Sequence, residues 1–350
     1  MNFRPGKITS LAMAGLIAAA LVLHAYSRTL PVPTPVPVSL GTVEYLGELR
    51  SPVDVKGKPS GFKRFIDKAL GMEDDRRRMV LPHGVAIDSR GRVLVADTKG
   101  QVVHIFDKAG KQYKQLHAPA SNPFLSPIAV ALDNEERIYV TDSGRSLIFV
   151  FRADGKFLKT LGALGRNESI FKRCTGLAID RGKGLLYVVD TLAMRVVALT
   201  TDGKVVARMG KPGDGPAEFN YPTHITVAAD GSLWVVDSLN FRVQHLDSSG
   251  NFLSAFGGVG DRPGEFDKPK GIAIDRQGRV MVVEGRFDRV QTYDAQGQMM
   301  FSFGSSGSGA GEFFLPAGIA LGDDGRIYVA DSQNGRIEIF RLNASAPGGR

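Results

Sequence analysis

Six segments of this chain end alike. RVLVAD closes at Asp97, RIYVTD at Asp142, LLYVVD at Asp190, SLWVVD at Asp237, RVMVVE at Glu284 and RIYVAD at Asp331, at intervals of 45, 48, 47, 47 and 47 residues. Fifteen residues upstream of five of them stands a proline: Pro82, Pro127, Pro222, Pro269 and Pro316. Cys174 takes that place in the third unit, one residue further back because the RGKG turn at 181–184 is one residue longer. The six units occupy nearly everything after residue 78 of a 350-residue chain. A period this long, built from short apolar runs, restricts the fold to a solenoid or a propeller.

The interior of one unit separates the two. In 222–257, ITVAA reads as a strand, ADGS as a tight turn, SLWVV as a second strand, RVQHL as a third, DSSGN as another turn and FLSAF as a fourth. Four strands joined by Asp/Gly turns make a propeller blade whose first strand lines the central channel. The 42 glycines fit that many turns. The expected fold is therefore all-β, a six-bladed β-propeller of four-stranded blades spanning about 41–343. The sixth unit lacks a fourth strand after RIEIFRLN (336–343), and residues 42–49, TVEYLGEL, have strand character but no unit of their own. These residues are expected to supply the missing outer strand and leave the ring without an open edge.

The pattern G-E-F-x-x-x-P, strand, D-G, strand, V-x-D-S-x-N-x-R-V-x-x-F resembles the NHL repeat, most clearly in 215–246, 264–293 and 311–340. The resemblance implies NHL-type blades over most of the chain. It leaves function open, because one propeller scaffold hosts unrelated activities.

Outside the repeat, Arg4 and Lys7 precede a 13-residue apolar stretch, Leu11 to Leu23, the length of a signal-peptide core. Residues 1–27 are read as a signal peptide, cleaved near Ser27, or as a retained membrane anchor. Residues 28–40, rich in proline, form a stiff stalk, and 344–350 a disordered tail. Either way the propeller is expected to be extracytoplasmic, periplasmic or secreted. Between closing strand and first blade, Phe62, Phe65, Ile66 and Leu70 share a helical face over about 61–70, with Lys63 and Arg64 elsewhere on it. That basic helix caps the ring or docks on a partner or an anionic membrane. The formal charge of +8 is concentrated in 1–38 and 50–78, so the blades are nearly neutral and nucleic acid is not an expected partner. One cysteine, Cys174, leaves no internal disulfide and no Cys-based zinc site.

The ring of acids, Asp97, Asp142, Asp190, Asp237, Glu284 and Asp331, reads as architecture. Arg195, Arg242, Arg289 and Arg336 follow four of them by five residues and are expected to pair with them. Glu218, Glu265 and Glu312 read as turn-fixing residues. A site should lie where the repeat is broken. After the blade prolines stand His83, Ile128, Thr175, Thr223, Lys270 and Ala317, with His224 one step further along. LPHGVAID (81–88) resembles the zinc-binding strand of peptidyl-hydroxyglycine amidating lyases, a resemblance that would imply a histidine at this place in three blades. Here only His83 matches, and strict strand alternation would turn His224 to the opposite face. The expected function is thus a non-enzymatic scaffold, without cofactor, that binds a protein or peptide through His83, Thr223, His224 and Lys270, or through Lys63 and Arg64. The alternatives are a metal-assisted lyase or lactonase, which would need a divalent metal in the channel, and a small-ligand sensor.

Overall fold

The computed structural model describes residues 43–57, 78–165 and 168–343. Six four-stranded antiparallel sheets follow one another around a central channel. Their innermost strands are Pro82–Ile87, Pro127–Leu132, Cys174–Asp180, Pro222–Val227, Pro269–Ile274 and Ile319–Leu321. The sixth sheet takes its outermost strand, Val43–Leu49, from the N-terminal side, where it pairs antiparallel with Arg336–Leu342. A short helix, Val53–Lys56, follows it. The signal or anchor segment, the stalk, the helix at 61–70 with Lys63 and Arg64, and the tail lie outside the described residues. Among the described residues no helix is long and apolar enough to cross a membrane.

The second strands hold the core. Val93–Asp97, Ile138–Asp142, Leu233–Asp237 and Val280–Glu284 are buried along their whole length. Both faces of each blade are covered by neighbouring blades, so these strands read as continuous apolar runs rather than as alternating ones. The phenylalanine of each G-E-F turn, Phe219, Phe266 and Phe313, is wedged fully buried between blades.

The acid ring fixes how each blade begins. All six carboxylates are fully buried. Asp97 accepts the backbone N–H groups of Val80 (2.6 Å), Leu81 (2.9 Å) and Gly100 (2.8 Å). Asp190 does the same for Lys172 and Arg173, both at 2.9 Å, and Asp331 for Phe314 at 2.7 Å. Arg195, Arg242 and Arg336 pair with their acids at 3.0, 2.9 and 2.7 Å. Arg289 departs from the expected pairing. Its Nη2 donates to the carbonyls of Asp261 (3.1 Å) and Arg262 (3.3 Å), and its guanidinium lies over the Phe287 ring. The longer Glu284 is instead occupied by the N–H groups of Asp267, Lys268 and Arg286. Glu218, Glu265 and Glu312 each accept a backbone N–H of the turn before them, from Gly215, Arg262 and Gly309.

Adjacent blades are latched near the axis. The hydroxyl that follows the acid donates to the carbonyl of the next blade's proline: Thr98 to Pro127 (2.9 Å), Thr191 to Pro222 (2.8 Å), Ser238 to Pro269 (3.0 Å) and Ser332 to Pro82 (2.7 Å). The last of these joins blade 6 to blade 1. Further out, Arg336 binds Asp331, Glu338 (3.1 Å) and Glu48 of the closing strand (2.9 Å) while donating to the Gly309 and Glu312 carbonyls. This guanidinium ties together the sixth sheet and its closing strand.

Glu338 strains that network. Its register equivalents 94 and 47 residues earlier, Gln244 and Gln291, accept one loop N–H and donate to one loop carbonyl. Glu338 accepts from Gly311, but its Oε2 is buried without a partner, and burial pushes its carboxyl up to about 7 against the pull of Arg336. A carboxyl raised in the folded state favours folding fully below the unfolded value and loses that contribution as pH climbs through about 4.5 to 7. Glu338→Gln is therefore expected to match the parent at pH 4 and to exceed it by about 1–3 kcal/mol at pH 8. Equal differences at both pH values in urea melts would show that Glu338 does not titrate this way. Separately, a chain starting at residue 50 is expected to melt well below one starting at residue 39, since the sixth sheet then loses its outermost ladder. Coincident melting curves would contradict that role for Val43–Leu49.

Candidate functional site at the channel mouth

Five of the six innermost strands begin with a bulge. In blade 4 the pairing passes from Pro222 opposite Asp237 to His224 opposite Val236, so one extra residue stands on the inner strand. Comparable shifts follow Pro82, Pro127, Cys174 and Pro269. A bulge breaks the period-two alternation and re-aims the side chains around it. The expectation that His224 faces away from His83 is therefore overturned. The two rings stack nearly parallel, 8° apart in plane and 5.3 Å between centroids, from blades 1 and 4 on opposite sides of the axis.

His83, His224, Thr223 and Lys270 line one cavity of about 140 Å³ at this mouth, with Arg173 and Tyr221 beside them. No carboxylate lines it. Thr175 and Thr191, also in the lining, are consumed in latches: Thr175 Oγ1 meets Thr191 Oγ1 at 2.7 Å and donates to the Thr223 carbonyl at 3.0 Å. The Thr223 hydroxyl is bound to Ser238 at 2.7 Å, which leaves Thr223 a wall rather than a free donor. Arg173 donates to the Tyr221 hydroxyl at 3.2 Å. Further along the channel the lining turns aliphatic, through Val85, Val130, Leu177, Ile225, Ile272 and Ile319.

The Nδ1 atoms of His83 and His224 are buried and unpartnered. Burial, with Lys270 adding to it, pushes His83 down to about 4, against the backbone of Ile128. Burial, then His83 and Lys270, hold His224 well below its ordinary value. Lys270 is itself lowered, by burial first and Lys268 next, with Glu284 and Asp288 opposing. The empty mouth thus holds two neutral imidazoles beside one ammonium. Among the described residues no group of three His, Cys, Asp or Glu side chains is arranged to hold a metal.

Two breaks in the repeat build this site, and both are visible in the sequence. Two residues after the blade proline, or after Cys174, stand Gly84, Ala129, Gly176, His224, Gly271 and Gly318. The small residues are dictated by close approach: a Cβ on Gly84 would lie 2.5 Å from the Ile128 carbonyl, and one on Gly176 2.7 Å from that of Thr223. Blade 4 alone puts a large side chain there. A hydroxyl residue follows five of the acids and acts as the latch in four blades, whereas blade 5 has Gly285 there. A Cβ on Gly285 would sit 2.9 Å from Cε of Lys270, so the lysine stem runs through the space the missing side chain leaves. Cys174, by contrast, is inert. Its thiol is fully buried, and burial, with Asp142 and Asp190, raises it far above the reactive range.

In an NMR titration His83 is expected to lose its proton near pH 4, and Lys270→Met should move that midpoint upward by removing a repelling charge. A midpoint near 6.5 in the parent would mean that the mouth is wet. His224→Gly restores the residue type of four other blades and is expected to leave the melting temperature within about 3 °C of the parent or above it. A large loss would make His224 a packing residue.

The NHL repeat family matches residues 80–106 and 315–340, and a 6-bladed beta-propeller family matches residues 116–199. No curated protein matches the chain in sequence. Among solved structures, a gluconolactonase from Xanthomonas campestris aligns over 86% of this chain and 99% of its own, at 16% identity and a TM-score of 0.59. Virginiamycin B lyase from Staphylococcus aureus aligns over 75% and 96%, at 16% identity and 0.56. A Bacteroides thetaiotaomicron protein of unknown function aligns over 86% and 76%, at 17% identity and 0.62. At such identities the likeness concerns the fold alone, and it agrees with the sheet order and the repeat: the chain is an NHL-repeat protein folded as a six-bladed β-propeller.

Proposed function

We propose that this propeller is an exported, non-enzymatic binding protein that captures a carboxylate-bearing group of a partner protein or peptide at the channel mouth. The observation that carries the reading is the charge of that mouth. His83, His224, Lys270 and Arg173 surround a cavity whose lining contains no acid. Two buried imidazole nitrogens lack partners there, and a carboxylate could complete them once the rings gain protons. The volume of about 140 Å³ suits a terminal carboxylate and the few atoms next to it, at roughly 30 Å³ for a water-sized group. Around the mouth, Val80, Leu125, Leu192, Leu239 and Phe314 are exposed, an apolar rim that supports contact with a polypeptide rather than with a bare ion. Export rests on the signal-like segment at 1–27.

A lyase or lactonase reading draws on the names of two fold neighbours and on the same two imidazoles, one of which would serve as a base. It needs a metal, and among the described residues no group of three His, Cys, Asp or Glu side chains is arranged to hold one. A sensor reading would use the same cavity for a free small acid.

The test is fluorescence polarisation with peptides ending in a free carboxylate or an amide. Amidation, and separately Lys270→Met, are expected to weaken binding about tenfold or more without lowering the melting temperature, the scale of one charge-assisted hydrogen bond. Equal affinity for both peptide forms would overturn carboxylate capture. Short-chain acids binding as tightly as the peptide would favour the sensor.

A further inference from the structure

The seam where the ring closes is not filled. Between blades 6 and 1 lies a second cavity, of about 320 Å³, walled by Leu46, Leu49, Val93, Phe106, Tyr328 and Ile339. Lys108, Arg326 and Arg341 stand around it. It is distinct from the channel mouth: Arg326 and Arg341 pair across their strands at the end opposite to Asp331 and Arg336.

Two independent features single out this cavity. The closing strand is bulged beside it. Its pairing passes from Tyr45 opposite Phe340 to Gly47 opposite Ile339, leaving Leu46 as the extra residue that lines the wall. Gly47 holds φ at +130°, and no atom lies within 4 Å of where its Cβ would stand. The second feature is charge. Arg326 and Arg341 occupy directly opposed positions in one sheet, an arrangement that costs stability unless an anion offsets it. Lys108 adds a third cation from the neighbouring blade. The nearby acids are Asp324, an exposed partner of Arg326 at 3.2 Å, and Glu44, opposite Arg341 in the closing strand. Neither lines the cavity, and Lys108 and Arg341 form no ion pair among the described residues.

We propose that this seam binds a single-chain amphiphilic anion, with its aliphatic chain between blades 6 and 1 and its carboxylate or other acidic head against Lys108, Arg326 and Arg341. At roughly 30 Å³ for a methylene- or water-sized group, the cavity holds a chain of about ten carbons. Such a ligand would touch the first and last blades together, so it would act on ring closure, and it does not depend on the reading of the channel mouth.

The experiment uses the full chain with decanoate below its micelle concentration, followed by calorimetry and thermal melting. Decanoate is expected to bind and to raise the melting temperature, and decanol, which lacks the charge, to bind about tenfold more weakly. Leu46→Trp, which fills the cavity, and Arg341→Gln with Lys108→Gln should each weaken decanoate about tenfold or more, while Lys270→Met at the other site leaves it unchanged. Should Leu46→Trp not fold, the double glutamine variant decides alone. The proposal is overturned if decanoate gives neither heat nor stabilisation, or if only Lys270→Met abolishes its binding. It is equally overturned if phosphatidylglycerol vesicles bind the protein while monomeric decanoate does not, which would make the cations a membrane-facing patch.

Discussion

A buried carboxylate at the end of each second strand is the interaction on which the propeller depends. Six acids are taken fully out of water, which is tolerable only because each meets backbone N–H groups of the loop that enters its own blade. That loop immediately precedes the innermost strand. Fixing Leu81 therefore fixes His83 two residues on, and the N–H of Arg173 is itself one of the bonded groups. The channel mouth is positioned by the architecture one layer behind it. Removing one acid would leave several buried donors without partners, a larger cost than the loss of any single hydrogen bond.

The closure of the ring applies the same logic at two radii. Near the axis Ser332 reaches the Pro82 carbonyl as the other latches reach theirs. At the periphery no repeat unit supplies the pairing, and Arg336 takes on three carboxylates, one of them Glu48 from the strand that completes the sheet. Burial is what chiefly raises Glu338 against the pull of Arg336, and the neighbouring Asp331 and Glu48 add to it. The seam that this closure creates carries both a bulge in the closing strand and a cavity.

Much of this was legible in the sequence because it repeats. The period of about 47, the acid ring and the D-G turns follow from six copies of one constraint, and six copies average out local exceptions. The misreadings arose where a single residue decided. Spacing alone predicts an Arg289–Glu284 pair, but Arg289 turns to the loop carbonyls of Asp261 and Arg262 while Glu284 takes backbone N–H groups. His224 was assigned to the far face by strict alternation, a rule that a bulge suspends and that no residue type announces. The signal that would have placed it was the comparison two residues after each blade proline, where four glycines and an alanine show how closely the inner strands approach.

The mouth and its lysine show why departures from a repeat point to function more directly than the repeat does. Selection for packing alone would keep glycine at 224 and a hydroxyl at 285, since both are what neighbouring blades use to close their seams. Instead blade 4 inserts an imidazole on the axis and blade 5 gives up its latch, and the space released is filled by the stem of Lys270. The missing latch alone forfeits a hydrogen bond of about 1 kcal/mol. Together the two changes bring basic side chains from blades 1, 4 and 5 into one cavity, where burial favours the neutral form of the two stacked imidazoles. Neutral stacking is how three basic groups coexist in the empty site. Both Nδ1 atoms stay buried without a partner among the described residues, and the proposed capture of an acid rests on them.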